Sequence, residues 1–184
     1  MANPAHFAKL MEGWEAWNAW KSEPEIEIAD LSDARLDGFD FSQFVLSVTN
    51  LERASLRGAR LTNTQMAGVL ANDSDWSGAR FENVRFVEST AQRATFDDAL
   101  FLWTRFDESN LDDASFVATD FFETIFTDCR MRRIDLSRAR LSTTTIARSI
   151  FQDVRGLDTA RSATLSIGID TLFDSGGLPE EFLR

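Results

Sequence analysis

A strict period of five runs through this chain. Stepping by five from Leu31 to Phe151 visits 25 positions, of which 23 carry a large apolar side chain; the exceptions are Ala71 and Ala91. The residues two places earlier form a second series, in which 22 of 25 members are Ala, Ser, Thr, Cys or Val. A helix repeats its faces every 3.6 residues and a strand every 2, so neither element can present both series to one core. The chain must instead turn once per repeat. If each pentapeptide forms one side of a square, the large residue and the small one before it point inward and the other three face solvent. Four repeats then close a coil, and successive coils stack through backbone hydrogen bonds at about 4.8 Å. The expected fold is an all-β solenoid, a quadrilateral β-helix of about six coils, on the order of 30 Å long.

Such a coil places residues twenty apart above one another. Phe81, Phe101 and Phe121 would stack on one side, and Phe86, Phe106 and Phe126 on the next, as ladders of rings. Side-chain volume agrees with this phasing. Ala71 shares its coil with Trp76, Phe81 and Phe86, and Ala91 shares the next with Phe96, Phe101 and Phe106. A core packed at constant density needs that compensation. Around the two alanines the phasing predicts either a small shared void or inward movement of Trp76 and the Phe ladders.

Segments such as Ala29-Asp30-Leu31-Ser32-Asp33, Ala54-Ser55-Leu56-Arg57-Gly58 and Ala79-Arg80-Phe81-Glu82-Asn83 resemble the A(D/N)LXX unit of the pentapeptide-repeat family. The resemblance covers about residues 26 to 154 and implies a right-handed quadrilateral β-helix. The resemblance is nearly silent on function; the absence of catalytic groups and an outward aromatic cluster instead point to a non-catalytic interaction or scaffold module, one that self-associates or serves as the partner-binding part of a multidomain bacterial protein. Residues 14–21, 166–172 and 179–183 are similar to segments flanking such modules, which places an effector domain beyond Arg184 among the expectations. Members that engage bacterial DNA gyrase resemble duplex DNA in width and charge. The resemblance therefore carries an alternative, an acidic DNA mimic that binds a type II topoisomerase such as DNA gyrase.

The ends depart from the repeat. Asn3 can cap a helix, Pro4 suits its first turn, and Phe7, Leu10, Met11, Trp14 and Trp17 fall on one stripe, so residues 4 to 21 read as a helix. A stack of coils has open ends with unpaired backbone, and this helix is expected to cover one of them. Gly156 occupies the next large-residue position and ends the pattern. The expected division is a capping helix in 1–25, the β-helix in 26–155, and a C-terminal cap or linker in 156–184.

Composition narrows the function. With 30 acidic and 19 basic side chains, net charge −11 argues against direct nucleic-acid binding or an anionic membrane over the whole surface. Cys129 is the only cysteine and His6 the only histidine, so no metal cluster, disulfide or Cys/His catalytic pair is available. No apolar run approaches the ~20 residues of a membrane span and no secretory signal pattern opens the chain, which predicts a cytoplasmic setting. The sequence is read as a non-enzyme without a cofactor.

Two surface features remain. Residues 82 to 128 hold 11 acids and 3 arginines, whereas 129 to 161 hold 3 acids and 8 arginines. The paired acids Asp97, Asp98, Asp107, Glu108, Asp112 and Asp113 are the candidate DNA-mimic face. Against them, Leu100, Leu102 and Trp103 occupy outward positions of one coil, with Phe122 one coil above, where earlier coils carry Arg60, Thr62, Asn63, Arg80, Glu82 and Asn83. Exposed apolar area with an aromatic anchor commonly marks an interface, so these four are the candidate protein-binding residues. A second copy of the chain, in a symmetric dimer, is the simplest expected partner.

Overall fold

The structure, a computed structural model, describes residues 1–23, 28–162, 164–168 and 170–174. Residues twenty apart are hydrogen-bonded partners on all four sides of the rod. On the first two sides single parallel bridges repeat, as in Asn50↔Leu70↔Thr90↔Asn110 and Ser55↔Asp75↔Thr95↔Ser115. On the third and fourth sides three-residue strands form six-stranded parallel sheets, with Phe81↔Phe101↔Phe121 and Phe86↔Phe106↔Phe126 in register. Both inward series are buried, with few exceptions. The ring ladders form as the phasing requires: Phe81 and Phe101 stack at 4.5 Å and 6°, and Phe86 and Phe106 at 4.5 Å and 8°.

The turn residue of every pentapeptide from Asp33 to Asp153 has a positive φ, and all but four of these 25 are not glycine. On the first two sides most corners are closed by a hydrogen bond such as Ala34 N–H to Leu31 carbonyl at 3.2 Å, the pattern of a type II turn. The left-handed conformation costs a non-glycine residue about 1–2 kcal/mol. Its amide is compensated by the coil above, as where Asp33 N–H donates to Glu52 carbonyl at 2.9 Å.

The alanine step is filled, and the buried void lies elsewhere. Ala71 and Ala91 are 2% and 3% exposed, and Trp76 lies over Phe96 at 6.3 Å with its indole N–H on Ser74 Oγ. A void of about 10 Å³ sits two coils further on, where the aromatic ladders of Phe116, Phe121 and Phe126 meet Met131, Leu136 and Leu141. Thr144 Oγ1 lines this region without a hydrogen-bond partner. Replacing Ala91 by Phe should therefore overpack the aromatic coil and cost about 1–3 kcal/mol. Unchanged thermal stability of that variant would show the site to be looser than its burial indicates.

Three expectations are corrected. The N-terminal segment is two helices, α1 (Pro4–Met11) and α2 (Trp14–Lys21), with a break at Glu12-Gly13 where Gly13 adopts φ 101°. That break lets Leu10 and Trp17 both reach the first coil, fully buried, while Met11 and Trp14 of the predicted stripe are exposed. The coil number is about seven rather than six. The pairing also runs through residue 155: Arg161–Ser162 pairs with Arg140 and Leu141, Leu165–Ile167 with Thr144 to Ile146, and Leu172–Asp174 with Ile150 to Gln152. These registers step by 21 and then 22 residues, because one extra residue enters near Gly156 and another before Leu172, and a search in steps of five loses the pattern there. Residues 175–184, including Gly176-Gly177 and the apolar-acidic finish, lie outside the described residues.

The helices close the first coil by hydrogen bonding to its open edge. Trp17 Nε1 donates to Val45 carbonyl at 2.7 Å, Asn18 bridges Gln43 carbonyl and Val45 N–H, and Lys21 Nζ donates to Val48 carbonyl at 3.0 Å. His6 Nδ1 accepts from Asp30 N–H at 2.9 Å. These groups supply the partners that a coil below would otherwise give.

Candidate protein-interaction site

The third side of the rod brings the four apolar residues together. Leu100–Leu102 is a strand paired in register with Asp120–Phe122, so Leu102 and Phe122 are direct neighbours. Trp103 turns the corner at φ 51° and its ring meets Phe122 edge-on, 6.3 Å between centroids at 83°. Trp103 is 49% exposed and Phe122 40%, while Leu100 and Leu102 are half-buried beside them. The same turn column reads Gln43, Asn63, Asn83 in the coils before, with Asn83 Nδ2 donating to Asn63 Oδ1 at 2.6 Å. Asn tolerates the left-handed conformation; for a bulky aromatic residue it is unfavourable. Trp103 is the one apolar residue in a turn column that otherwise reads Gln43, Asn63, Asn83, Glu123 and Thr143.

The six acidic candidates do not share a face. Asp112 and Asp113 lie on the first side, Asp97 and Asp98 on the second, and Asp107 and Glu108 on the fourth. Asp107 is paired with Arg85 at 2.9 Å, Asp112 with Arg130 at 2.9 Å, and Asp113 with Arg133 at 2.7 Å. Asp97 accepts from Val117 N–H at 3.0 Å and from Ser115. Asp98 and Glu108 are exposed without a side-chain partner among the described residues. The basic block is likewise spent on the acidic one: Arg130, Arg133, Arg140 and Arg148 all pair with aspartates one coil below. What reads in the chain as two charge blocks is in space a seam of ion pairs.

One arrangement escaped the sequence reading. The turn column at the corner between the first and second sides runs Asp33, Arg53, Asp73, Arg93, Asp113, Arg133, Asp153. Arg53, Arg93 and Arg133 each grip the preceding aspartate through Nε and Nη2 at 2.7–3.0 Å. The alternation is visible at twenty-residue steps, but only once the turn position is known to be a column of its own.

These guanidinium bonds hold the Asp33, Asp73, Asp113 and Asp128 carboxyls below the usual carboxylate range, the last through Arg148. A carboxyl depressed by folding contributes stability that is complete above its unfolded pKa, about 4, and is lost as pH falls through the lower folded value. The melting temperature should accordingly fall progressively below about pH 4, and a profile flat from pH 5 to 2 would contradict the ion-pair role. Burial pushes the Cys129 thiol up to about 11, which keeps it protonated and unreactive at neutral pH. Among the described residues no cluster of His, Cys, Asp or Glu could hold a metal, and no helix is long and apolar enough to cross a membrane.

Four parallel ladders on a twenty-residue coil, with polar groups paired along the surface, define a quadrilateral β-solenoid. The family model described as "Pentapeptide repeats" matches in eight copies, over residues 29–68 and 99–138. The structure of HetL, a pentapeptide repeat protein involved in heterocyst differentiation regulation from the cyanobacterium Nostoc sp. strain PCC 7120, superposes with a TM-score of 0.60 at 17% identity, covering 79% of this chain and 78% of that one. The chain belongs to the pentapeptide-repeat family. Looser matches include Rfr23 from the cyanobacterium Cyanothece 51142 (15% identity, 85% and 97% covered, TM-score 0.31). Another is QnrB1, a plasmid-mediated fluoroquinolone resistance protein (13%, 75% and 91%, TM-score 0.42). No curated protein matches the sequence. At these identities the likeness is one of fold.

Proposed function

We propose that this chain is a non-catalytic interaction module that holds a protein partner through Leu100, Leu102, Trp103 and Phe122. The observation that carries the reading is Trp103 itself: a half-exposed indole in a left-handed turn, packed on an exposed Phe122. Every corner of the rod is left-handed, so the conformation is the fold's; what sets Trp103 apart is a large apolar ring left exposed where its column otherwise carries polar residues, and an exposed aromatic anchor commonly marks an interface. The apolar area offered is on the order of 250 Å². A two-fold dimer resting on that patch alone would fall well short of the ~800 Å² per partner of a stable interface. Any partner that the patch anchors must therefore make contacts beyond it.

The decisive variant is Trp103→Asn with Phe122→Ser. An asparagine in place of Trp103 extends the Asn63–Asn83 ladder and relieves the turn, so stability should hold or rise by about 0.5–1 kcal/mol. A partner cross-linked from cell extract by a photoactivatable residue at Thr62 should be lost from that variant. Equal capture by both proteins would move the site elsewhere. The acidic alternative has weaker support, since its residues lie on three sides and most are paired. A DNA gyrase supercoiling assay should be unaffected by the protein; inhibition would favour the mimic.

A further inference from the structure

The corner diagonally opposite Trp103 carries the alternating column, and no other outward column of the rod alternates in this way. Its arginines are about half exposed, at 54%, 54% and 51%. Each uses two of its five N–H donors on the aspartate below, which leaves three for a second carboxylate. At the far end Asp153 is exposed and has no side-chain partner among the described residues.

We propose that this edge pairs with the same edge of a second, antiparallel copy. A two-fold axis lying across the first side, perpendicular to the rod, turns one copy end over end and keeps each column opposite itself, which is the isologous arrangement. In one register Asp153 of one copy meets Arg53 of the other, Arg133 meets Asp73, and Asp113 meets Arg93, and symmetry repeats each pair. The adjoining column accepts that register without a like-charge contact, since Glu52 meets Gln152, Asn72 meets Arg132 and Gln92 meets Asp112; at the far corner of the side Val48 meets Arg148 and Gly68 meets Asp128, and Glu88 on Glu108 is the one contact that opposes it. A slide of one coil sets Asp on Asp and Arg on Arg. A slide of two coils toward Asp33 sets Glu52 on Asp112 and leaves Asp153 unmatched. Charge thus excludes the one-coil slides, and the pairing of Asp153 favours this register over the slide of two coils, in the way complementary charge fixes partner and alignment. The overlap is about 29 Å by about 15 Å, at the small end of specific interfaces, so the dimer is weak and salt-sensitive. It leaves both Trp103 surfaces facing outward, and the pairing stands or falls independently of what they bind.

Sedimentation equilibrium of the full chain from about 1 to 100 µM tests the pairing, at low salt and at about 0.5 M salt. The expected result is a dimer at low salt whose dissociation constant rises at least tenfold in high salt. Asp153→Arg breaks no ion pair within the chain but sets Arg against Arg53 of the other copy, and should weaken the dimer about tenfold. Adding Arg53→Asp to that variant restores the unlike pair and should restore dimerisation, even though it gives up the bond to Asp33. Trp103→Asn with Phe122→Ser should dimerise as wild type does. A wild type that stays monomeric at 100 µM and low salt would overturn the proposal. So would a dimer indifferent to Asp153→Arg, or a folded Asp153→Arg, Arg53→Asp protein that stays monomeric.

Discussion

Alanine at position 156 should cost about 2–5 kcal/mol, the sum of a left-handed turn and an overpacked contact. Gly156 has φ +75°, and a Cβ built there would overlap Ser137 Oγ and the backbone N and Cα of Ser137. Backbone cannot move aside as a side-chain tip can. Gly156 also accepts from Thr159 and Ala160 N–H, and the chain gains its extra residue here. The damage should therefore concentrate in the last coil, as early hydrogen exchange of Arg161 and of residues 165–168 ahead of the coils below. Gly78→Ala is the internal control. It has a similar φ of +68° but nothing within 4 Å of its Cβ, so it should cost only about 1 kcal/mol. Equal costs for the two variants would refute the close-approach explanation.

Removing the indole at the other end should be comparably severe. Trp17 is fully buried, its N–H is bonded to Val45 carbonyl, and its ring packs against Trp20 at 5.2 Å and Phe44 at 6.4 Å. Trp17→Ala should cost about 3–5 kcal/mol through the cavity and the unmet carbonyl. Because the helices touch the rod at its first coil, unfolding should begin there. Amides of residues 29–46 should lose protection while those of the aromatic coils keep theirs, as expected for an array stabilised between neighbours. A uniform loss of protection along the rod would mean that the cap and the coils unfold as one unit.

Almost the whole fold was legible because each inward position is dictated by its neighbours twenty residues away. The three interruptions of the small-residue series also have structural causes. Phe39 and Phe44 lie in the first coil, where Phe44 packs beneath Trp17, and Ile134 lines the void where the aromatic ladders give way to aliphatic side chains. The candidate site was legible to the same degree: Leu100, Leu102, Trp103 and Phe122 are brought together as twenty-residue stepping requires. What stepping could not show was that Trp103 sits in a left-handed turn, since Trp carries no local signal for that conformation.

The sequence by itself determined the square coil, its phase and the contents of its core, because a period of five admits no other regular way to bury two registers. Tertiary structure decided whatever depends on neighbours without that period. It broke the N-terminal helix at Gly13 so that two helices could meet the coil edge, and it carried the solenoid past Gly156 by absorbing extra residues in the turns. It also converted the charge blocks into ion pairs. A charge's partner lies one coil away in space and about twenty residues away in sequence, so the sign of a segment says little about the field it presents.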